Sequence, residues 1–361
     1  MIICDFVLLE NFCNLGCKYC RPGWNKLKYR DGRFYWHNKT ESIPWKSSAQ
    51  LQEEWIQIAA NVIQEINPPI IKLSGGEIFI IPDVIEIIKT IARDAEMVQI
   101  LTNGTILNDK LTAPLKSIEN LHYQISIDGH LLEMNSMRFR SPFMLKKVLS
   151  FLDFAAQFPG TVEINCVISK YNIDGFFSFA EYISKNYHKT IVVPFPVRGC
   201  PDYSPTQEQV INFEKNCLKH KSSSLNSLPP EAYMARLIEI MIERKRINKC
   251  YLPLLILSAY GDGTIQYCTC GGNYSVGNIV QNSIATIREN ITNTYKNLDT
   301  LPQVHSYCCD CYTHYDIINL FLEDEIQAED LEGFSIFTNN TVRTRLNDLK
   351  TEIMKAPPGH E

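Results

Sequence analysis

Asn11-Phe12-Cys13-Asn14-Leu15-Gly16-Cys17-Lys18-Tyr19-Cys20 is the stretch whose reading decides the fold. It follows directly on Ile2 to Leu9, a β-branched and aromatic run expected to form the first strand. Three cysteines spaced C-x3-C-x2-C on a short loop form a soft donor set. Such a set suits three irons of a cubane and leaves the fourth iron open. Gly16 is expected to permit the tight turn that gathers the thiolates. On spacing alone, a zinc knuckle or a trio of buried thiols also remains open.

Outward from that loop, strand and helix patterns alternate. Helices are expected at Ala49 to Ile66, Pro82 to Ala95, Asn108 to Ser117, Pro142 to Gln157 and Asp174 to Asn186. Pro114 is expected to kink or end the third of these. Strands are expected at Ile70 to Ser74, Val98 to Thr102, Leu121 to Ile127, Thr161 to Ile168 and Ile191 to Phe195. Six strands with helical crossovers imply a parallel sheet that curves toward a barrel. Six units are too few for eight, so the fold class is α/β, a partial (β/α)6 TIM barrel. Chemistry in such folds lies at the C-terminal ends of the strands.

Beyond Val197 the pattern changes. Helices are expected at Thr206 to Lys219 and Glu231 to Asn248, separated by a Ser- and Pro-rich linker. A Cys- and Gly-rich module then carries a hairpin signal at Gly261-Asp262-Gly263. The expected divisions are a barrel over 1–220, a linker and bridging helix over 221–249, a small module over 250–322 and a tail over 323–361. The tail reads as acidic, then irregular.

Bulk properties narrow the partners. A formal net charge of −5 gives no general attraction to nucleic acid or to anionic membrane. The longest apolar runs, such as Leu252 to Leu257, are too short to span a bilayer. No basic leader precedes an apolar region, so a cytoplasmic location is expected. Thirteen cysteines in a reducing compartment point to metal ligation or reactivity and away from a disulfide framework.

The strand ends carry further motifs. Leu73-Ser74-Gly75-Gly76-Glu77 ends the second strand, Thr102-Asn103-Gly104 the third, and Ser126-Ile127-Asp128-Gly129 the fourth. Together with the cysteine spacing and the aromatic Tyr19, these resemble the radical S-adenosylmethionine (SAM) superfamily. The resemblance implies that Cys13, Cys17 and Cys20 hold a [4Fe–4S] cluster on which SAM chelates. Tyr19 would lie near the adenine. Ser74, Gly75, Gly76 and Glu77 would receive the methionyl ammonium. Thr102, Asn103, Ser126 and Asp128 would line the SAM or substrate site. Arg138 would pair with the SAM carboxylate or with substrate, and Arg140 is an equal candidate by chemistry.

A second group of cysteines lies between Cys250 and Cys311. Cys250, Cys268, Cys308 and Cys311 make a four-thiolate set, with Cys270 and Cys309 as alternatives. By itself the set suits a zinc ribbon equally well. With the N-terminal motif it resembles the twitch module, a short form of the SPASM domain, in spacing similar to 2-deoxy-scyllo-inosamine dehydrogenases. That implies a second, auxiliary [4Fe–4S] cluster.

The implied activity is reductive cleavage of SAM to a 5′-deoxyadenosyl radical that abstracts a substrate hydrogen atom. Passing the substrate electron to the auxiliary cluster gives oxidation. Cys166 and Cys200, after the fifth and sixth strands, are candidate thiol hydrogen donors, although small buried hydrophobes are the blander reading. The substrate is a small molecule or a peptide, and the electron donor a flavodoxin or ferredoxin. A peptide-modifying maturase and a non-catalytic zinc protein are the competing readings.

Overall fold

The computed structural model describes residues 1–8, 12–20, 27–30, 33–37, 42–220, 226–246, 248–266, 275–296, 311–331 and 333–355. The chain opens with β1 (Ile3–Val7). A three-stranded meander follows, β2 (Leu27–Arg30), β3 (Arg33–His37) and β4 (Ser42–Ser47), which forms a sheet of its own. The sequence reading assigned no strands there. Next come α1 (Ser48–Ile66), β5 (Ile70–Ser74), α2 (Val84–Asp94), β6 (Met97–Thr102), α3 (Asp109–Lys116) and β7 (Leu121–Ser126). The barrel continues through α4 (Pro142–Ala155), β8 (Val162–Ile168), α5 (Phe176–Asn186) and β9 (Thr190–Pro196).

Strands β1, β5, β6, β7, β8 and β9 pair in that order and all in parallel. This is the six-stranded partial barrel. Both faces of these strands are covered, so polar and apolar positions alike are withdrawn from solvent. β5 and β8 are buried at every position. The helices seal the outer face through single stripes. In α2 that stripe is Val84, Ile87, Ile88 and Ile91, spaced three and four apart. α4 starts on Pro142, whose fixed φ suits a first helical turn. Pro114 lies inside α3, which stops two residues beyond it.

The C-terminal third contains α6 (Gln207–His220), α7 (Glu231–Glu243), α8 (Leu252–Leu255), β10 (Ile256–Tyr260), β11 (Thr264–Gln266), β12 (Ser275–Asn278) and α9 (Ile284–Lys296). α7 is shorter than expected. Arg244 adopts a left-handed conformation (φ 52°) and ends the helix there, well before Asn248. The hairpin falls where the Gly261-Asp262-Gly263 signal placed it, with Gly263 at φ 84° and its N–H donating to Tyr260 O. β10 then pairs in parallel with β1, so the hairpin extends the barrel sheet.

The chain ends with α10 (Asp316–Leu322), α11 (Ser335–Thr338) and α12 (Asn340–Lys355). The expectation of an irregular tail is therefore wrong over α12. Its apolar residues Val342, Leu346, Leu349 and Ile353 are spaced four, three and four apart and pack on the core, a helical stripe that the sequence reading missed. It docks by Arg345, whose Nη1 donates to Met1 O and Asn67 O, just before β1 and β5. The tail thus closes the N-terminal end of the barrel and leaves the opposite mouth to the cysteine loop. Among the described residues no helix is long and apolar enough to cross a membrane.

Candidate radical SAM site

The cysteine loop is seated by the end of β5. Gly75 adopts φ 137°, a conformation that favours glycine. A Cβ on Gly76 would lie 2.1 Å from Phe12 O, and Glu77 N donates to that same carbonyl at 2.8 Å. The close approach permitted at Gly76 is therefore made by the backbone of the loop itself. Gly16 corrects a second expectation. It has no left-handed φ and nothing lies within 4 Å of a Cβ there, so the turn does not require glycine.

A polar network fixes the loop from β6. Asn103 Nδ2 donates to Asn14 Oδ1 (2.9 Å) and approaches Cys13 Sγ at 3.7 Å. Asn103 Oδ1 accepts from Thr105 N and Oγ1, and Asn14 Nδ2 donates to Thr105 Oγ1. Leu15 N also points at Cys13 Sγ, at 3.4 Å. Asn14 and Thr105 were missed in the sequence. Their signal was only adjacency to motifs already noted.

Glu77 is fully buried. Its carboxylate accepts from Thr102 Oγ1 (2.8 Å), Phe79 N (3.1 Å) and Asn103 N (2.7 Å). Burial raises its pKa to about 7, and those three donors limit the rise. In this geometry Glu77 ties β5 to β6 beneath the loop. Ser74 is likewise committed, its hydroxyl donating to Asp5 Oδ1 on β1.

The other wall is built around Asp128. Its carboxylate accepts from Tyr19 OH (2.6 Å) and Val167 N (3.0 Å), and Arg138 Nε lies 3.0 Å from it as a buried ion pair. The Arg138 guanidinium also lies 5.3 Å from the centre of the Tyr19 ring. Asn135 holds this loop by accepting from Asp128 N and donating to Gly129 O and Leu131 O. Lys18 N donates to Met137 O, so both sides of the mouth are tied. The structure separates two arginines that were equal by chemistry. Arg138 is buried in the site, whereas Arg140 is exposed and lines an outer groove with Lys18 and Tyr171.

The thiols face this network. Burial raises the Cys17 thiol to about 11; the Arg138 charge opposes that rise, and Asp128, Cys20 and Cys13 add to it. Among the described residues no three His, Cys, Asp or Glu side chains converge on one point as a single metal ion requires. A cubane does not require this, because each thiolate binds a different iron. Three cysteines on one loop at the strand ends, N–H groups directed at Cys13 Sγ and a guanidinium near Cys17 fit thiolate ligation of such a cluster.

Of the other expected residues, Ser126 is the half-buried last residue of β7. Cys166 lies on β8 on the same face as the fully buried Ile164 and Ile168, with Asp128 O 3.8 Å from its sulfur. That face turns away from Glu163 and Asn165. Cys200 caps the short turn Pro201–Tyr203 after β9. In the second cysteine group, Arg198 Nη1 lies 3.1 Å from Cys311 Sγ. Arg246 donates to Cys311 O (2.7 Å), pairs with Asp316, and feels the charge of both Cys250 and Cys311. Cys268, Cys270, Cys308 and Cys309 lie outside the described residues.

A partial barrel with a three-cysteine loop at its mouth is the arrangement that the sequence resemblance implied. Residues 7–149 match the family model described as Radical SAM superfamily. The AdoMet-dependent heme synthase of Methanosarcina barkeri is 26% identical over 186 residues, 50% of this chain and 48% of that protein. The Molybdenum cofactor biosynthesis protein 1 of Drosophila melanogaster is 27% identical over 49% of this chain and 28% of its own length. The aligned stretches thus span half or less of these relatives. Among solved structures, anSMEcpe with bound AdoMet aligns at TM-score 0.57 and 16% identity, covering 97% of this chain and 99% of that one. Streptococcus suis SuiB bound to S-adenosylmethionine aligns at TM-score 0.57 and 11% identity, covering 84% and 68%. At these identities the structures share the fold.

Proposed function

We propose that this chain is a radical SAM oxidoreductase with one auxiliary cluster. When bound, a [4Fe–4S] group at Cys13, Cys17 and Cys20 supplies one-electron cleavage of SAM and hence hydrogen abstraction from substrate, and a second at Cys250, Cys268, Cys308 and Cys311 would take up the resulting electron. The observation that carries the reading is the convergence of the Cys13–Cys20 loop, Asp128 and Arg138 on one barrel mouth. Asp128 and Arg138 hold Tyr19, and through it the loop, in a single orientation. Burial raises the Cys13 thiol above its ordinary value, and the donors that Leu15 N and Asn103 direct at Cys13 Sγ oppose that rise. Ser126 and the ends of β5 and β6 offer polar groups to a zwitterionic ligand at the same mouth. The likeness of the C-terminal cysteine spacing to 2-deoxy-scyllo-inosamine dehydrogenases supports oxidation as the outcome.

A peptide-modifying activity is the second reading. It is supported by the fold shared with SuiB, which has also been solved bound to precursor peptide SuiA (TM-score 0.52). Both readings predict a brown protein with about seven to eight irons per chain after anaerobic reconstitution. Both also predict 5′-deoxyadenosine formed from SAM under reduction, measured by chromatography. Cys17→Ala is expected to abolish that product and to remove about half of the iron. A colourless zinc protein, or a Cys17→Ala variant that still cleaves SAM, would refute the proposal.

A further inference from the structure

The loop between β7 and α4 has two sides. Met134, Asn135, Met137 and Arg138 are buried, with Arg138 paired to Asp128 at the mouth. Leu131, Glu133 and Arg140 are exposed. This outer side borders a groove of about 620 Å³, lined by Lys18, Leu132, Glu133, Met137, Arg140 and Tyr171 among others. The groove meets the cysteine loop directly. Lys18 N donates to Met137 O at 2.8 Å, and Lys18 is the residue after Cys17. One peptide bond therefore separates the groove lining from a candidate cluster ligand.

The groove is cationic. The exposed side chains of Lys18 and Arg140 carry no hydrogen bond or ion pair among the described residues. Lys170 Nζ lies 5.4 Å from the centre of the exposed Tyr171 ring and adds a third charge at the rim. Against them stands Glu133. In a chain of formal net charge −5, such a local excess of cations creates a field that attracts acidic partners to this place. Cations around exposed aromatic and aliphatic side chains are the composition of a protein contact.

The reaction proposed above needs one electron from outside the chain. In that reading SAM and substrate occupy the mouth, so the electron enters from the outer side of the loop, where Lys18 lies. We propose that this groove is the docking surface for an acidic one-electron carrier protein of the flavodoxin or ferredoxin type. This deepens the radical SAM reading and rests on it. The carrier loses one electron, the group held by Cys13, Cys17 and Cys20 gains it, and no atom is transferred. Lys18, Arg140 and Lys170 meet carboxylates of the carrier, and Tyr171 and Leu132 provide contact area between them. Exposed charges of this kind act mainly on encounter and are screened by salt.

The probes are two acidic carriers, a flavodoxin and a ferredoxin, added to the full chain after anaerobic reconstitution. Calorimetric titration with the oxidised carrier reads binding without turnover. Chromatography then reads 5′-deoxyadenosine formed with the reduced carrier or with dithionite, a small reductant that needs no docking surface. At least one carrier is expected to bind, and to bind more weakly as salt rises. Arg140→Glu and Lys170→Glu are each expected to raise its Kd about threefold, and the double variant about tenfold. The rate at low carrier concentration should fall in step, while the dithionite-driven rate stays at its original level. Arg343→Glu makes the same charge change on the exposed side of α12, at the other end of the barrel, and should leave the Kd within about twofold.

Binding of neither carrier, an unchanged Kd in the double variant, or an equal rise in Arg343→Glu would overturn the proposal. So would a double variant that melts normally yet loses the dithionite-driven rate, since the cations then serve SAM or substrate. If dithionite yields no 5′-deoxyadenosine even from the unsubstituted protein, the radical SAM reading itself has failed.

Discussion

The two cysteine regions of this molecule are held in opposite ways. The Cys13–Cys20 loop lies at an open mouth, with Cys13 and Cys20 exposed. It is fixed from below by glycine contact and amide hydrogen bonds. Cys311 is buried, and its surroundings are built on guanidinium groups, Arg198 at its sulfur and Arg246 at its carbonyl. Arginine flanks both regions, Arg138 near Cys17 and Arg198 at Cys311, so what separates them is exposure: the first loop leaves its sulfurs open to an incoming ligand, and the sulfur of Cys311 is covered. Both regions nevertheless rely on one buried ion pair each, Arg138–Asp128 and Arg246–Asp316.

The largest expected effect separates those pairs. Arg138→Met and Arg246→Met each leave a carboxylate buried without its cation, which costs on the order of 3–5 kcal/mol. Both should lower the denaturant midpoint. Arg138→Met should in addition weaken SAM binding in a calorimetric titration, and Arg246→Met should not. Equal loss of SAM affinity in both would erase the contrast between the regions.

A smaller effect is expected at two glycines. Gly76→Ala drives a Cβ into Phe12 O, and overpacking of that kind costs roughly 1–3 kcal/mol. The displaced loop should also bind less iron. Gly16→Ala has open space and should change stability by no more than about 0.5 kcal/mol. Thermal unfolding of the two variants checks this, and a Gly16→Ala variant as damaged as Gly76→Ala would restore the turn explanation.

The smallest effect concerns Glu77. Its folded pKa, about 7, lies above the ordinary value of 4.5, so between those values the folded state holds the extra proton. Stability contributed by this group therefore falls as pH rises from 4.5 to about 7, and is level above that. Glu77→Gln should flatten the slope in that window. An unchanged slope in the variant would show that other groups set it.

Much of this was legible in the chain itself. All six barrel strands and their crossovers fall within a residue or two of their expected positions, because buried parallel strands and amphipathic helices leave different periods in sequence. The cysteine spacing and the strand-end motifs fall where they were expected. The sequence also held an unread signal: polar residues at alternate positions in apolar strands, as at Lys72, Gln99 and Glu163. Period-two polarity marks a lumen-facing side only once the sheet is known to curl.

Sequence alone determined the order of the barrel strands and their crossover helices, the three-thiol loop and the strand ends that surround it, because each depends on neighbours a few residues away. Tertiary structure decided what spans the chain. It buried Arg138 beside Asp128 and left Arg140 exposed, made Gly76 a seat for residue 12, set α12 against the N-terminal ends of β1 and β5 and brought Ser335 to Glu163, 172 residues apart. Those choices depend on which side chains meet after the sheet closes, and no local pattern records that.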